Sequence, residues 1–536
     1  MLNNSLLLKP VIFIINLINT SYENSVLKRF IEFIFGIFRK LNTFYENSFA
    51  SYLARSVTNL LKNSAIIGFF IGKGRFSRWW EESLFYRIIN GIFDIPSKLL
   101  KNFFQKHEEF FGESLTIRLI RALLSRLEFI VGLFLIIILA VPHERWNNVY
   151  NVGIALVICI FVFINTVIQR HWVFNFKALD FTIILFMLAV TLAFVTSLDP
   201  STGLKYWLFY LAGFLMVLGI VSTVKNEISL QTIVEMFLWG ITIIGAYGVW
   251  QAVTGAVSFD PSLTDPNLNF NMPGRVYATM ANPNNYGEIL IMALPFYLSV
   301  ILNSKTFLKK VVYMIMAVFP LIALFNTGSR SSWIGFAVSA IVITFLLNKR
   351  LLPFVFLGGL LLIPFLPPHV YNRIVTIFKA AQNASQDSSA KTRVNILKTV
   401  WPMFRTYMFT GVGLGTDIFR EIVKNYHQYT KAVPPHTHIL YLQIWIEAGI
   451  TGFITFVWFI YRTIKNSVIG IYNTTGPLKS IIAAGVASIA GILTTSLVEY
   501  SWYYPRVMVI FWTVLGILAA AVALTEAKNR KLSENQ

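Results

Sequence analysis

The run NVGIALVICIFVFINTVI, Asn151 to Ile168, holds no charged side chain. A bilayer-spanning helix needs about 20 predominantly apolar residues, and this run supplies them. Working outward along all 536 residues gives about twelve such segments, centred near residues 134, 158, 188, 214, 242, 294, 317, 339, 358, 457, 488 and 515. The composition agrees: 56% of residues are hydrophobic and only 13% charged, against about 25% charged in soluble domains. The expected fold class is an all-α polytopic membrane protein. The single cysteine, Cys159, lies inside the opening run, which excludes disulfide frameworks and cysteine-based zinc sites. A net charge of +20 is read as topology signal and attraction to anionic lipid, not as nucleic-acid binding.

An even number of spans puts both termini on one side of the membrane. One set of linkers carries Arg170 and Lys177, Lys225, the trio Lys305, Lys309 and Lys310, the pair Lys349 and Arg350, then Arg462, Lys465 and Lys479. The alternate short linkers carry only Arg145, Lys205, Arg275, Arg330 and Arg506. By the positive-inside rule the first set is cytoplasmic, and so are both termini. The N-terminus shows no basic region, apolar core and small-residue site in that order, so no cleavable signal peptide is expected.

Three regions follow. Residues 1–126 hold 17 Lys+Arg against 9 Asp+Glu and no run long enough to span. A degenerate motif recurs there: YENS at Tyr22 and Tyr45, WEES at Trp80 and FGES at Phe111. Each opens an amphipathic stretch, and its serine suits a helix cap, so these are expected to be interfacial helices on the cytoplasmic leaflet. Residues 127–527 form the transmembrane domain, with long outer loops at about 256–284 and 367–435, and residues 528–536 form a cytoplasmic tail.

Chemistry is sought on the outer face. Arg330 sits in NTGSRSSWIGF, where Gly328 and the serines end one apolar run and start the next. An arginine beside a fresh helix N-terminus suits phosphate. Arg275, in GRVYATMANPNNYGE, faces the same compartment, seven residues before the turn-and-cap residue Asn282. Together they suggest a pyrophosphate clamp. Gly411, Gly413 and Gly415 precede a further helix; a tight turn is favoured over an anion nest. Arg393 is an additional candidate for anion contact. In PPHTHILYLQIWIEAG, Pro434 to Gly449, His436 and His438 are too closely spaced for one helix face, and no metal is expected. If residues 438–449 are helical, Glu447 lies about 180° from His438 and cannot pair with it. A histidine on an aqueous face remains a natural general base near neutral pH.

The order GRVYATMANPNNYGE, NTGSRSSWIGF, GVGLGTDIF and HILYLQIWIEAGITGF resembles the O-antigen ligase and polymerase superfamily. These are multi-spanning GT-C-type glycosyltransferases that use undecaprenyl-pyrophosphate-linked glycans on the extracytoplasmic face without a metal or other cofactor. The resemblance covers roughly residues 130–520 and is densest from about 270 to 455. It implies Arg275 and Arg330 as pyrophosphate ligands. The family's histidine opens an HN-x-Y-L-Q pattern followed by E-x-G; counting back from Tyr441, Gln443, Glu447 and Gly449 selects His438, with Ile439 in place of the asparagine and His436 in reserve. The implied partners are the lipid-linked glycan, an acceptor lipid, glycan or protein, and membrane lipids. The implied location is the cytoplasmic membrane. Ligase and repeat-unit polymerase stay open alternatives within the class. A twelve-helix secondary transporter is the alternative outside it, though no motif is duplicated between the halves.

Overall fold

The structure, a computed structural model, describes residues 82–169, 174–257, 274–362, 370–371 and 388–534, with Trp79, Trp80 and scattered positions between 28 and 59. The YENS motif at Tyr22 and the piece around residues 372–382 lie outside the described residues.

Every extended element among the described residues is helical. In chain order the helices are α1 (Leu84–Lys106), α2 (Glu108–Glu113), α3 (Leu115–Leu124), α4 (Leu127–Ala140), α5 (Val149–Gln169) and α6 (Phe181–Val195). Then come α7 (Pro200–Thr223), α8 (Glu227–Thr254), α9 (Pro283–Asn303), α10 (Phe307–Asn326), α11 (Arg330–Asn348) and α12 (Leu352–Leu362). The last five are α13 (Ser388–Tyr407), α14 (Thr416–Val423), α15 (Leu440–Tyr472), α16 (Gly476–Thr495) and α17 (Pro505–Glu534). Among the described residues, nine are long and apolar enough to cross a membrane: α5, α7 to α11 and α15 to α17. The three other expected centres fall on shorter helices. Residue 134 lies in α4, which meets α3 at a 69° bend, residue 188 in α6, and residue 358 in α12. Among the described residues, counting the bent pair α3 and α4 as one broken span gives ten.

Burial sorts the spans. The apolar windows of α9, α16 and α17 are 83%, 78% and 78% buried, whereas those of α10 and α11 are 28% buried and face outward. Small residues let the central helices close up, as lipid-embedded packing requires. A Cβ on Gly335 of α11 would stand 2.7 Å from the carbonyl oxygen of Gly491 in α16, and one on Gly491 would stand 2.8 Å from that of Gly335. Side-chain caps begin several spans, the one at Asn282 where the sequence places it. Asp180 accepts from the Thr182 N–H at α6, Asn226 forms a capping box with Ser229 at α8, and Asn282 accepts from the Asn284 N–H at α9 with Pro283 in the first turn.

Two outlying parts dock on this bundle. The described stretch of the second long loop builds its own apolar cluster from Val400, Met403, Phe404, Phe419 and Val423, closed by Ile446 of α15. On the other side of the chain, Ser83 of WEES caps α1 by accepting from the Tyr86 N–H, and Tyr86 is buried in the main core. The rest of α1 leaves Leu84, Ile88, Ile92, Ile95, Leu99 and Phe103 exposed along one stripe, at the three-to-four-residue spacing of a single helix face.

Candidate active site

Three loops and one helix face meet at one end of the bundle. The first loop, 274–282, carries Arg275. It is fixed from several sides: the Ala278 N–H donates to Gln251 Oε1 of α8 (2.8 Å), and the Thr279 hydroxyl donates to the Leu139 carbonyl of α4 (2.6 Å). Arg506 of α17, stacked on the Trp146 ring, donates from Nη1 to the carbonyls of Val141 and Thr279. Arg275 itself is buried. Its Nε donates to the Thr327 carbonyl (2.7 Å) and its Nη2 to Asn284 Oδ1 (2.6 Å). The guanidinium therefore lies between the first turn of α9 and the residues that lead into α11. Arg330 is the first residue of α11 and half-buried. Ser329 holds the cap position without a side-chain cap bond; its hydroxyl pairs instead with those of Ser331 and Ser332.

The second loop, 434–439, carries the histidines. His438 lies outside the helix, which starts at Leu440, and its backbone is left-handed, with φ 57°. This corrects the expectation of a helix running from 438; the exclusion of a His438–Glu447 pair survives for a different reason. Glu447 is tied inward: it accepts from Gln443 Nε2 (2.8 Å), while Gln443 Oε1 accepts from the Thr437 N–H (2.9 Å). That chain of bonds braces the histidine loop from below. His436 Nδ1 accepts from the His438 N–H (3.1 Å), and the two imidazoles stand 4.2 Å apart. His436 is buried, and burial first, then its neighbours His438 and Arg393, hold its pKa well below the ordinary histidine range.

The third loop, between α16 and α17, contributes Glu499, which the sequence reading did not single out. Its Oε1 accepts from Arg393 Nη2 of α13 (2.5 Å) and from Asn284 Nδ2 (3.4 Å), and its Oε2 faces His438 Nδ1 at 3.5 Å. Burial alone would raise this carboxyl. The contact from His438 and the positive charges of Arg393 and Arg275 outweigh it and hold the pKa below the usual carboxylate value. Glu499 thus links Arg393 and His438, and through Asn284 it reaches Arg275. The one available signal was topological: linker parity puts Glu499 on the same side as His438.

The three non-glycine residues with positive φ among the described residues are Ala278, Ala281 and His438, all on the two loops of this site. Each costs about 1–2 kcal/mol relative to a right-handed backbone, and such strain gathers where surrounding structure over-determines a functional loop. The Gly411–Gly415 segment is a close backbone crossing: a Cβ on Gly411 would sit 2.5 Å from the Glu447 carbonyl, and one on Gly449 2.4 Å from the Phe409 carbonyl. The Val412 and Gly413 N–H groups donate to the carbonyls of Ile446 and Glu447 across that crossing. Among the described residues no three of His, Cys, Asp or Glu are grouped to hold a metal ion.

A family model described as O-antigen ligase matches residues 315–457, a span that takes in Arg330, Arg393, His436 and His438. Over 352 residues the chain is 22% identical to the teichuronic acid biosynthesis protein TuaE of Bacillus subtilis (strain 168), covering 62% of this chain and 69% of that protein.

Proposed function

We propose, for a chain that belongs to the O-antigen ligase and polymerase superfamily, that it moves a glycan from an undecaprenyl-pyrophosphate donor to an acceptor hydroxyl on the extracytoplasmic face of the cytoplasmic membrane. The observation that carries this reading is the linkage of Arg275, Asn284, Glu499, Arg393 and His438, drawn from four separate parts of the chain into one polar network. With Arg330 at the head of α11, three guanidiniums stand against one carboxylate, a surplus suited to a dianionic pyrophosphate. The relative's part in teichuronic acid biosynthesis supports a cell-surface polysaccharide as the product class.

The chemistry is a single displacement. His438 Nδ1 faces Glu499, which leaves Nε2 to take the proton of the acceptor hydroxyl. The acceptor oxygen attacks the anomeric carbon of the donor sugar as the bond from that carbon to the pyrophosphate oxygen breaks. Arg275 and Arg330 stabilise the charge that develops on the leaving group, the largest electrostatic demand of such a reaction. Arg393 and Asn284 hold Glu499, which orients the imidazole in the manner of the carboxylate in a catalytic triad.

The deciding experiment is glycan transfer by purified protein with a lipid-pyrophosphate-linked donor. His438→Ala with His436 intact should abolish transfer; retained transfer would eliminate the role of His438. Ligase and polymerase share donor and site, and the fate of glycan in a deletion strain separates them. Unattached full-length chains mark a ligase, and lost chain length marks a polymerase.

A further inference from the structure

The transfer reaction leaves unused a cavity of about 600 Å³ at the opposite end of the bundle, walled by α6, α15 and α17 together with Trp80. Its Arg462 follows Leu440 by 22 positions on α15, beyond the kink at Gly449. The inner wall is apolar, formed by Val217, Phe459, Leu515 and Leu518. The mouth is polar and carries Lys177, Asp180, Arg462, Glu526 and Arg530.

The charges there do not cancel. Asp180 is committed to one buried partner: Arg462 donates to it from Nε (3.1 Å) and Nη2 (2.7 Å), and Asn466 adds a third bond (3.0 Å). Glu526 stands 4.0 Å from Arg530, with both side chains at least half as exposed as in an open chain or nearly so (49% and 65%), a pairing worth little. Lys177 has no ion-pair partner among the described residues. Trp80 packs on Phe181, and its indole N–H is buried without an acceptor among the described residues. A buried donor left unpaired is costly, and an oxygen-rich ligand would relieve it.

We propose that this cavity seats one anionic phospholipid. The headgroup phosphate lies between Lys177, Arg530 and the Trp80 N–H, and an acyl chain runs along Phe459 and Leu515. Phosphate chemistry is shared by lipids and free anions; the apolar inner wall selects the lipid, and basic pockets between transmembrane helices are known settings for such headgroups. Because Trp80 precedes α1, the lipid also ties the N-terminal region to the bundle.

The test uses the full-length protein, reconstituted in vesicles of equal phosphatidylcholine and phosphatidylglycerol, re-extracted in mild detergent and assayed for retained lipid by mass spectrometry. Wild type should retain phosphatidylglycerol selectively. Lys177→Ala and Arg530→Ala should each reduce that preference about five-fold, and Ala519→Trp, which fills the cavity, should lose both lipids. The charge variants leave the packing intact, so they decide the matter if the tryptophan variant folds poorly. Retention indifferent to headgroup charge, or unchanged in both charge variants, overturns the proposal. So does inorganic phosphate raising the unfolding temperature as much as phosphatidylglycerol does, since that outcome assigns the site to free anions.

Discussion

Glu499→Gln is the sharpest perturbation of the site. The glutamine keeps the shape and can still offer an oxygen to Arg393, whose contact with Oε1 is the shortest in the network. Its second polar atom then becomes an NH₂ group facing His438 Nδ1, where the wild type has an oxygen at 3.5 Å. An NH₂ donor there forces Nδ1 to accept, which places the imidazole proton on Nε2 and blocks that nitrogen as a base. General base catalysis contributes about 10²–10⁴-fold. The 3.5 Å separation is loose for a hydrogen bond, so the lower end applies: kcat should fall about 100-fold, or about 2.7 kcal/mol in barrier. The assay is steady-state transfer in proteoliposomes with donor and acceptor each varied. The KM for donor should stay within about threefold, because the arginines remain, and an unchanged KM beside a reduced kcat is the signature of a lost transition-state role. A kcat within about threefold of wild type would refute the orienting role. A loss confined to donor KM would instead assign Glu499 to placing the arginines.

Four further outcomes are expected. Arg275→Lys keeps the charge but cannot serve the Thr327 carbonyl and Asn284 together; kcat/KM for donor should drop about 10²–10³-fold, measured by the same transfer assay. His436 is held neutral below its ordinary range by burial, so the unfolded chain takes up a proton below about pH 6.5 that the folded chain refuses. Its share of stability is thus complete above that pH and declines below it, and His436→Asn, which retains an acceptor for the His438 N–H, should flatten unfolding temperatures scanned from about pH 7.5 to about pH 5. Gly449→Ala meets both a positive φ of 63° and the Phe409 carbonyl; the backbone alone costs about 1–3 kcal/mol, visible as a lowered unfolding temperature in detergent. Spin labels at Ile92 and Leu99, on the exposed stripe of α1, should be relaxed by oxygen dissolved in the bilayer, while one at Lys101 should respond to aqueous nickel. Aqueous accessibility at all three would remove α1 from the membrane surface.

The helices were legible because the bilayer imposes a strong rule: a span must be apolar and must satisfy its own backbone, so runs such as Asn151–Ile168 declare themselves. The cap at Asn282 was legible too, since a side chain two residues from the N–H it serves leaves a local pattern. What stayed hidden shares one property, dependence on partners distant in sequence. The left-handed His438 has no glycine to announce it; its conformation depends on the Thr437–Gln443–Glu447 chain beneath it. Glu499 is separated from Arg393 by 106 positions and from Asn284 by 215, and nothing in its local sequence distinguishes it from an interfacial glutamate. Topology narrows that gap. Once linkers are sorted by side, the short outer linkers contain few acidic residues, and one that shares a face with a candidate base and several arginines is a natural counter-charge. Side of the membrane is therefore a distance constraint in its own right: it brings residues far apart in the chain into a layer thin enough for side chains to meet, before any helix packing is known.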